Sequence, residues 1–210
     1  MITLYGSGQS RSFRALWALE EAALNYEYIA MDREPGDEPR HLHSDAYARI
    51  NSQHKVPTLV DGEIVLTESA AIVNYLALLS DGDLMPSTPS SRARYDEICY
   101  FVMTDFEQPL WSIGKHSFAL PEEQRVKEML ATAAWEFSKS LTALRVHMTG
   151  RQLDTSAFAV GSAFTMADVL LAQTLNWADR FEMSIPKDLI AYRDRMYARA
   201  ACRRALATVT

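Results

Sequence analysis

The chain has 210 residues, 48% hydrophobic and 23% charged, a balance that fits an ordinary folded protein and argues against a disordered or disulfide-stapled one. That length accommodates one large domain or two small ones. A formal net charge of −6 gives no reason to expect nucleic acid as a partner, since binding a polyanion rests on clustered Lys and Arg.

Residues Ile2 to Tyr5 alternate in polarity and run into "GSGQS", which predicts a short strand followed by a turn. From Arg11 onward, Phe13, Leu16, Trp17, Leu19, Ala23 and Leu24 recur at three- and four-residue steps. That spacing predicts an amphipathic helix ending near Asn25. "YEYIAM" reads as a second strand, "DREPGDEP" as a polar loop and "SDAYARIN" as a short helix. "PTLV", Asp61-Gly62 and "EIVL" predict a hairpin, with Asp-Gly supplying the positive φ angles of a two-residue type I′ turn. A helix over 68–79 follows.

The order βαβαββα predicts an α/β domain over residues 1–80. "SDGDLMPSTPSS", rich in Ser, Asp, Gly and Pro, marks a linker over 81–90. Residues 91–210 carry helical periodicity in four long runs, and no strand is needed there. Pro109 falls inside the first run, where it removes an amide donor and predicts a kink. Pro121 is expected to open the second. Thr165-Met166-Ala167-Asp168 has a capping-box pattern, flanked by Phe164 and Val169 as a hydrophobic staple. The basic stretch "RMYARAACRR" reads as the solvated face of a final helix.

Cys99 and Cys202 stand far apart without a CxxC pair, so no metal site and no local redox pair is expected. No stretch approaches the ~18 apolar residues of a membrane span, and "MITLYGSGQS" lacks the pattern of a secretory leader. A cytoplasmic protein with no membrane partner is the expectation.

Three segments carry a family resemblance: "LYGSGQSRSFRALWALEE", "KVPTLVDGEIVLTESAAIVNYL" and "FTMADVLLA". Taken in this order over the whole length, the chain resembles the cytosolic glutathione transferases, of a serine-type, bacterial-like kind. The resemblance implies a thioredoxin-like N-terminal domain followed by an all-α domain, with glutathione as co-substrate. It implies a homodimer acting in detoxification, with the helix over 68–79 and the one beginning near Arg92 at the interface. Departures from the family pattern are His54, where Gly often precedes the Lys, Ser52, where Pro often follows the Asn, and Gly8, where Pro is common.

Glutathione has an amino-acid end, a carboxylate end and a thiol between them. A helix starting near Glu68-Ser69 presents free N–H groups and a positive dipole end to a carboxylate. Ser69 adds a hydroxyl for the γ-glutamyl carboxylate and Glu68 a charge for the ammonium. By resemblance, Pro57 is cis and turns the backbone of Val56 outward to pair with the cysteinyl backbone. Lys55, with Gln53 and His54 as further donors, suits the glycyl carboxylate. His41 and His43 read as surface residues.

The thiol, with a free pKa of ~8.5, reacts as thiolate, and a hydroxyl donating to sulfur favours that form. Ser10, Ser12, Tyr5 and, less directly, Arg11 are the candidates. Ser10 ranks first because it stands four residues before Arg14, the spacing of serine-type members. Arg11 occupies the position of the cysteine in cysteine-type members. The electrophile's pocket is expected between the domains, with Phe106, Trp111, Lys115 and His116 as wall residues. The expected activity is conjugation of glutathione to a small hydrophobic electrophile. Disulfide or peroxide reduction, isomerisation, and a non-catalytic interaction module on the same fold are the alternatives.

Overall fold

The computed structural model of the chain describes residues 1–33, 38–148 and 157–209. Four strands, β1 (Ile2–Gly6), β2 (Tyr26–Ala30), β3 (Thr58–Asp61) and β4 (Ile64–Leu66), form one sheet in the order β2-β1-β3-β4. β1 and β2 are parallel, while β3 runs antiparallel to both β1 and β4. The parallel pair requires a crossover, and α1 (Ser12–Glu21) supplies it. All of α1 from Ser12 through Leu19 is buried, against the sheet, against α3 (Ser69–Leu79) and against the C-terminal helix α9 (Ala200–Val209). A short helix α2 (Asp45–Ala48), capped by the Ser44 hydroxyl accepting from the Tyr47 amide, precedes β3.

The hairpin forms where expected, but its turn is displaced by one residue. Asp61 pairs with Ile64, so the central residues are Gly62-Glu63 rather than Asp61-Gly62. Of these two, Gly62 alone has a positive φ, +58°, which is the arrangement of a type II′ turn rather than type I′.

In the second unit, Pro86–Tyr197, the long elements among the described residues are all helices: α4 (Pro89–Phe101), α5 (Glu107–Gly114), α6 (Glu128–His147), α7 (Met166–Arg180) and α8 (Lys187–Tyr197). α4 starts inside the predicted linker, because Thr88 accepts from the Ser91 amide and Pro89 sits at the first position, where a missing N–H does no harm. Pro109 is accommodated one turn ahead of itself. Val102–Phe106 is π-helical, with the Glu107 amide bonded to the Val102 carbonyl. The Asp105 carbonyl, four residues before Pro109, accepts instead from Ser140 Oγ of α6 at 2.7 Å. Pro121 does not open a long helix. It precedes a 3₁₀ turn, Glu122–Gln124, and α6 begins only at Glu128.

α7 opens on the predicted capping box, with the Thr165 amide donating to Asp168 Oδ2 at 2.9 Å. Phe164 and Val169 are both buried. The Asp168 carboxylate also accepts from the Ala159 amide at 2.7 Å and from the Tyr192 hydroxyl at 2.6 Å, so one side chain joins the start of α7 to the preceding loop and to α8.

The last predicted helix is in fact two, α8 and α9, separated at Ala198 and Arg199. The sequence reading grouped the C-terminal residues with the helical domain. In the structure they form one compact unit with Met1–Met85. Arg199 makes a bidentate pair with Glu21 at 2.6 and 2.8 Å, and Arg204 reaches Glu20. Two of the basic residues expected on a solvated face therefore hold α9 to the end of α1. Among the described residues no helix is long and apolar enough to cross a membrane.

Candidate functional site

Antiparallel pairing of Tyr5 with Thr58 sets the end of β1, and the turn that follows it, beside the residues that lead into β3. Arg14, fully buried in α1, donates from Nη1 to Ser69 Oγ at 3.4 Å and so ties the start of α3 to the first turns of α1. The turn carrying Ser10, the Val56-Pro57 step and the N-terminus of α3 thus converge within one unit.

The turn is stitched by serines. The Ser7 amide donates to Ser12 Oγ at 3.2 Å, the Ser12 amide to Ser10 Oγ at 3.2 Å, and the Ser10 hydroxyl to Ser12 Oγ at 3.0 Å. Ser10 is half-buried, whereas Ser12 is enclosed. Tyr5 turns its ring onto Tyr47, 5.7 Å between centroids, as part of an apolar cluster with Met31 and Leu42. Of the three hydroxyls, Ser10 is the one both partly open and held by a neighbour. Gly8 has φ +49°, which the ring of proline forbids, so the departure at this position follows from the shape of the turn.

The Val56-Pro57 bond is cis, as the resemblance implied. Pro57 is buried, Val56 is half-buried and Lys55 is exposed. The Lys55 carbonyl is pinned from two sides, by the Tyr47 hydroxyl at 2.6 Å and by Asn51 Nδ2 at 2.9 Å. Both groups also meet Thr58 Oγ1, at 2.8 and 2.9 Å. Burial raises the pKa of Tyr47, so its hydroxyl remains a neutral donor. Tyr47, Asn51 and Thr58 were not among the predicted site residues. The only signal for them is spacing, an Asn four residues before the Lys whose carbonyl it holds.

His54 has φ +54°, a left-handed conformation that costs a side chain and favours glycine, which accounts for the Gly often found at this position in the family. Its Nδ1 lies 2.8 Å from the Leu42 carbonyl. A carbonyl only accepts, so Nδ1 carries the proton and Nε2 is the nitrogen left for other contacts. The ring stacks on exposed His43 at 5.2 Å. Gln53 is exposed, and its amide donates to Asn51 Oδ1 at 3.0 Å.

α3 begins at Ser69 with Glu68 as N-cap. Glu68 is extended, exposed, and makes no side-chain bond to the helix amides. The N-cap side chain thus leaves the first amides of this eleven-residue helix, and its positive end, to another acceptor. Ser69 is buried, with the Arg14 guanidinium against its hydroxyl.

In the helical unit the predicted pocket residues separate. Phe106 is fully buried, stacked on Phe137 at 5.1 Å, and is a core side chain rather than a wall. Its place on the π-helical turn points it at α6. Trp111, Lys115 and His116 are half-buried, and His116 Nδ1 accepts from the Val126 amide at 3.1 Å. A cleft of about 330 Å³ in this unit is walled by Phe101, Thr104, Gln108, Trp135 and Lys139, not by Trp111, Lys115 or His116. Among the described residues no three His, Cys, Asp or Glu side chains group as a metal site. Burial raises the thiol pKa of both Cys99 and Cys202 to about 12, so neither is a thiolate at neutral pH.

Residues 1–78 match the family model described as Glutathione S-transferase, N-terminal domain, and residues 93–200 the one described as Glutathione S-transferase, C-terminal domain. Glutathione S-transferase theta-1 of Bos taurus is 32% identical over 175 residues, spanning 80% of this chain and 70% of the relative. Glutathione S-transferase Z2 of Arabidopsis thaliana is 30% identical over 182 residues, 84% of this chain and 76% of the relative. Among solved structures, the theta class glutathione S-transferase from Xanthomonas axonopodis pv. citri with glutathione bound superposes with a TM-score of 0.76 at 29% identity, covering 98% of this chain and 96% of that one.

Proposed function

The chain belongs to the glutathione S-transferase family, and from that premise we propose that it binds glutathione in its first unit and transfers the activated thiol to a small hydrophobic electrophile. The observation that carries this reading is the convergence of three groups complementary to one tripeptide: the Ser10 hydroxyl, the half-buried Val56 backbone and the uncapped N-terminus of α3. Each group answers to one part of the ligand. The α3 amides, with Ser69, receive the γ-glutamyl carboxylate, and exposed Glu68 meets its ammonium. Val56 pairs with the cysteinyl backbone as an added strand does. Lys55, Gln53 and the Nε2 side of His54 lie toward the glycyl carboxylate. Ser10 then donates to sulfur and favours thiolate over thiol.

Arg11, standing at the position of the cysteine in cysteine-type members, leaves no thiol there for a mixed disulfide, which favours conjugation over disulfide exchange. Trp111, Lys115 and His116 remain the proposed contacts of the electrophile. Leu78 on α3 and Tyr100 on α4 are 69% and 67% exposed, and these apolar side chains, open on the two helices assigned to the interface, support the proposed homodimer. A cytoplasmic location is part of the same proposal.

Calorimetric titration with glutathione, light scattering, and conjugation of a model aryl halide test the reading together. Binding of glutathione, a dimeric mass, and a loss of about 10- to 100-fold in turnover for Ser10→Ala are expected, equivalent to raising the bound thiol's pKa by one to two units. Absence of glutathione binding rejects the proposal. Full activity in Ser10→Ala rejects Ser10 as the activating residue.

A further inference from the structure

Ser12 has no contact with glutathione in the reading above, yet its hydroxyl sits at the centre of the serine turn. It is 1% exposed, and a Cβ added to Gly6 would lie 2.9 Å from the Ser12 Cβ, so the strand end packs directly beneath it. Its position is fixed by backbone on that side.

A serine hydroxyl has one proton to give and two lone pairs to receive. Ser12 Oγ receives from the Ser7 amide and from the Ser10 hydroxyl, while among the described residues Ser10 Oγ receives from the Ser12 amide alone. Ser10 therefore spends its only proton on Ser12 and keeps a lone pair to spare, and Ser12 has given its own proton to neither of these partners. In this arrangement Ser10 has nothing to donate to sulfur.

Resting on the proposed glutathione reading, we infer that Ser12 is a positioning residue whose hydroxyl reverses its bond with Ser10 when the thiol is bound. The Ser10 proton turns to sulfur, and the Ser12 proton turns to Ser10 Oγ across the same 3.0 Å separation. After reversal, Ser10 accepts two bonds and donates one, which is its full capacity, and Ser12 still accepts from Ser7. The chain then runs in one direction from the Ser7 amide through Ser12 and Ser10 to the thiolate. Bonds aligned in this way polarise one another, so the Ser10 hydroxyl becomes a stronger donor than an isolated serine.

The test is a double-mutant cycle read through the pKa of the bound thiol, taken from thiolate ultraviolet absorbance against pH in the glutathione complex. Ser12→Ala is expected to raise that pKa by several tenths to about one unit while leaving glutathione affinity nearly unchanged. In a Ser10→Ala background the same substitution is expected to add nothing, because the relay has already lost its last member. A Ser12→Ala pKa equal to wild type overturns the inference, as does an equal rise in both backgrounds. Should Ser12→Ala lose the fold by circular dichroism, Ser12→Cys provides the second reading, since its S–H is a weak donor and the same rise is expected. Failure of the underlying reading looks different: glutathione does not bind, or Ser10→Ala alone leaves the thiol pKa where it was.

Discussion

At the scale of single residues, the group that most constrains the proposed ligand site touches no ligand. Asn51 is 4% exposed and uses both ends of its amide: Nδ2 to the Lys55 carbonyl and to Thr58 Oγ1, and Oδ1 from the Gln53 amide. It thereby fixes both sides of the Val56-Pro57 step. Asn51→Ala removes three hydrogen bonds at once. The Lys55 carbonyl and Thr58 each keep Tyr47 as a partner, and Gln53 is exposed enough for water to replace the loss. A cost of about 1–3 kcal/mol is expected in urea denaturation, with weaker glutathione binding by calorimetry. An affinity equal to wild type would separate this network from the site. In sequence, Asn51 is one more polar residue at the end of a short helix, and nothing local distinguishes a buried amide from a hydrated one. The three candidate hydroxyls were equally ambiguous. Ser10, Ser12 and Tyr5 differ in burial and partners, which depend on Gly6, Ser7 and Tyr47 rather than on their own spacing.

At the scale of elements, periodicity located helices and strands well, and their ends poorly, because ends are decided by particular hydrogen bonds. The end of α1 is an example. The Leu24 amide bonds to the Leu19 carbonyl and the Ala23 amide to that of Glu20, a Schellman arrangement with Ala23 at φ +52°. Glycine is the usual occupant of this position, since a Cβ there costs about 1 kcal/mol or more. Ala23 is exposed, so glycine would lose no packing. Ala23→Gly is therefore expected to stabilise the protein by roughly 0.5–1 kcal/mol, less whatever the freer unfolded chain takes back. A rise in the midpoint of thermal unfolding checks it; a fall would mean that unfolded-state entropy outweighs the relief of the left-handed alanine. The same dependence on specific bonds explains the other misplaced ends. The break at Ala198 has no Gly or Pro to announce it and coincides with Arg199 reaching Glu21, a residue 178 positions away. Pro109 announced a distortion but not its form, which depends on Ser140 taking up the Asp105 carbonyl.

At the scale of the molecule, two units of different construction were legible because one mixes two-residue alternation with helical steps while the other carries helical steps alone. What was not legible is the charge buried within the second. The Asp168 capping box was readable as a motif, but its further bonds to Ala159 and Tyr192 make it a fully enclosed carboxylate. Burial pushes its pKa up to about 6, and the donors from Tyr192, Ala159 and Thr165 pull it back only in part. In the unfolded chain the group titrates near 3.9. The folded state therefore binds this proton more tightly than the unfolded state. Its contribution to stability is fully present below about pH 4 and is lost as pH rises to about 6, a change on the order of 3 kcal/mol for a shift of about two units. Acid denaturation of the other carboxylates runs against this trend, so the comparison must isolate the one group. Asp168→Asn keeps the shape and cannot ionise, but presents an NH₂ where a donor already points, which costs about 1–3 kcal/mol at every pH. The stability advantage of wild type over Asp168→Asn is accordingly expected to be largest near pH 4 and to shrink toward pH 6, measured as the difference between two urea titrations at each pH. A difference that grows over the same range would mean that the surrounding donors outweigh burial and that Asp168 is held as a carboxylate below its ordinary pKa.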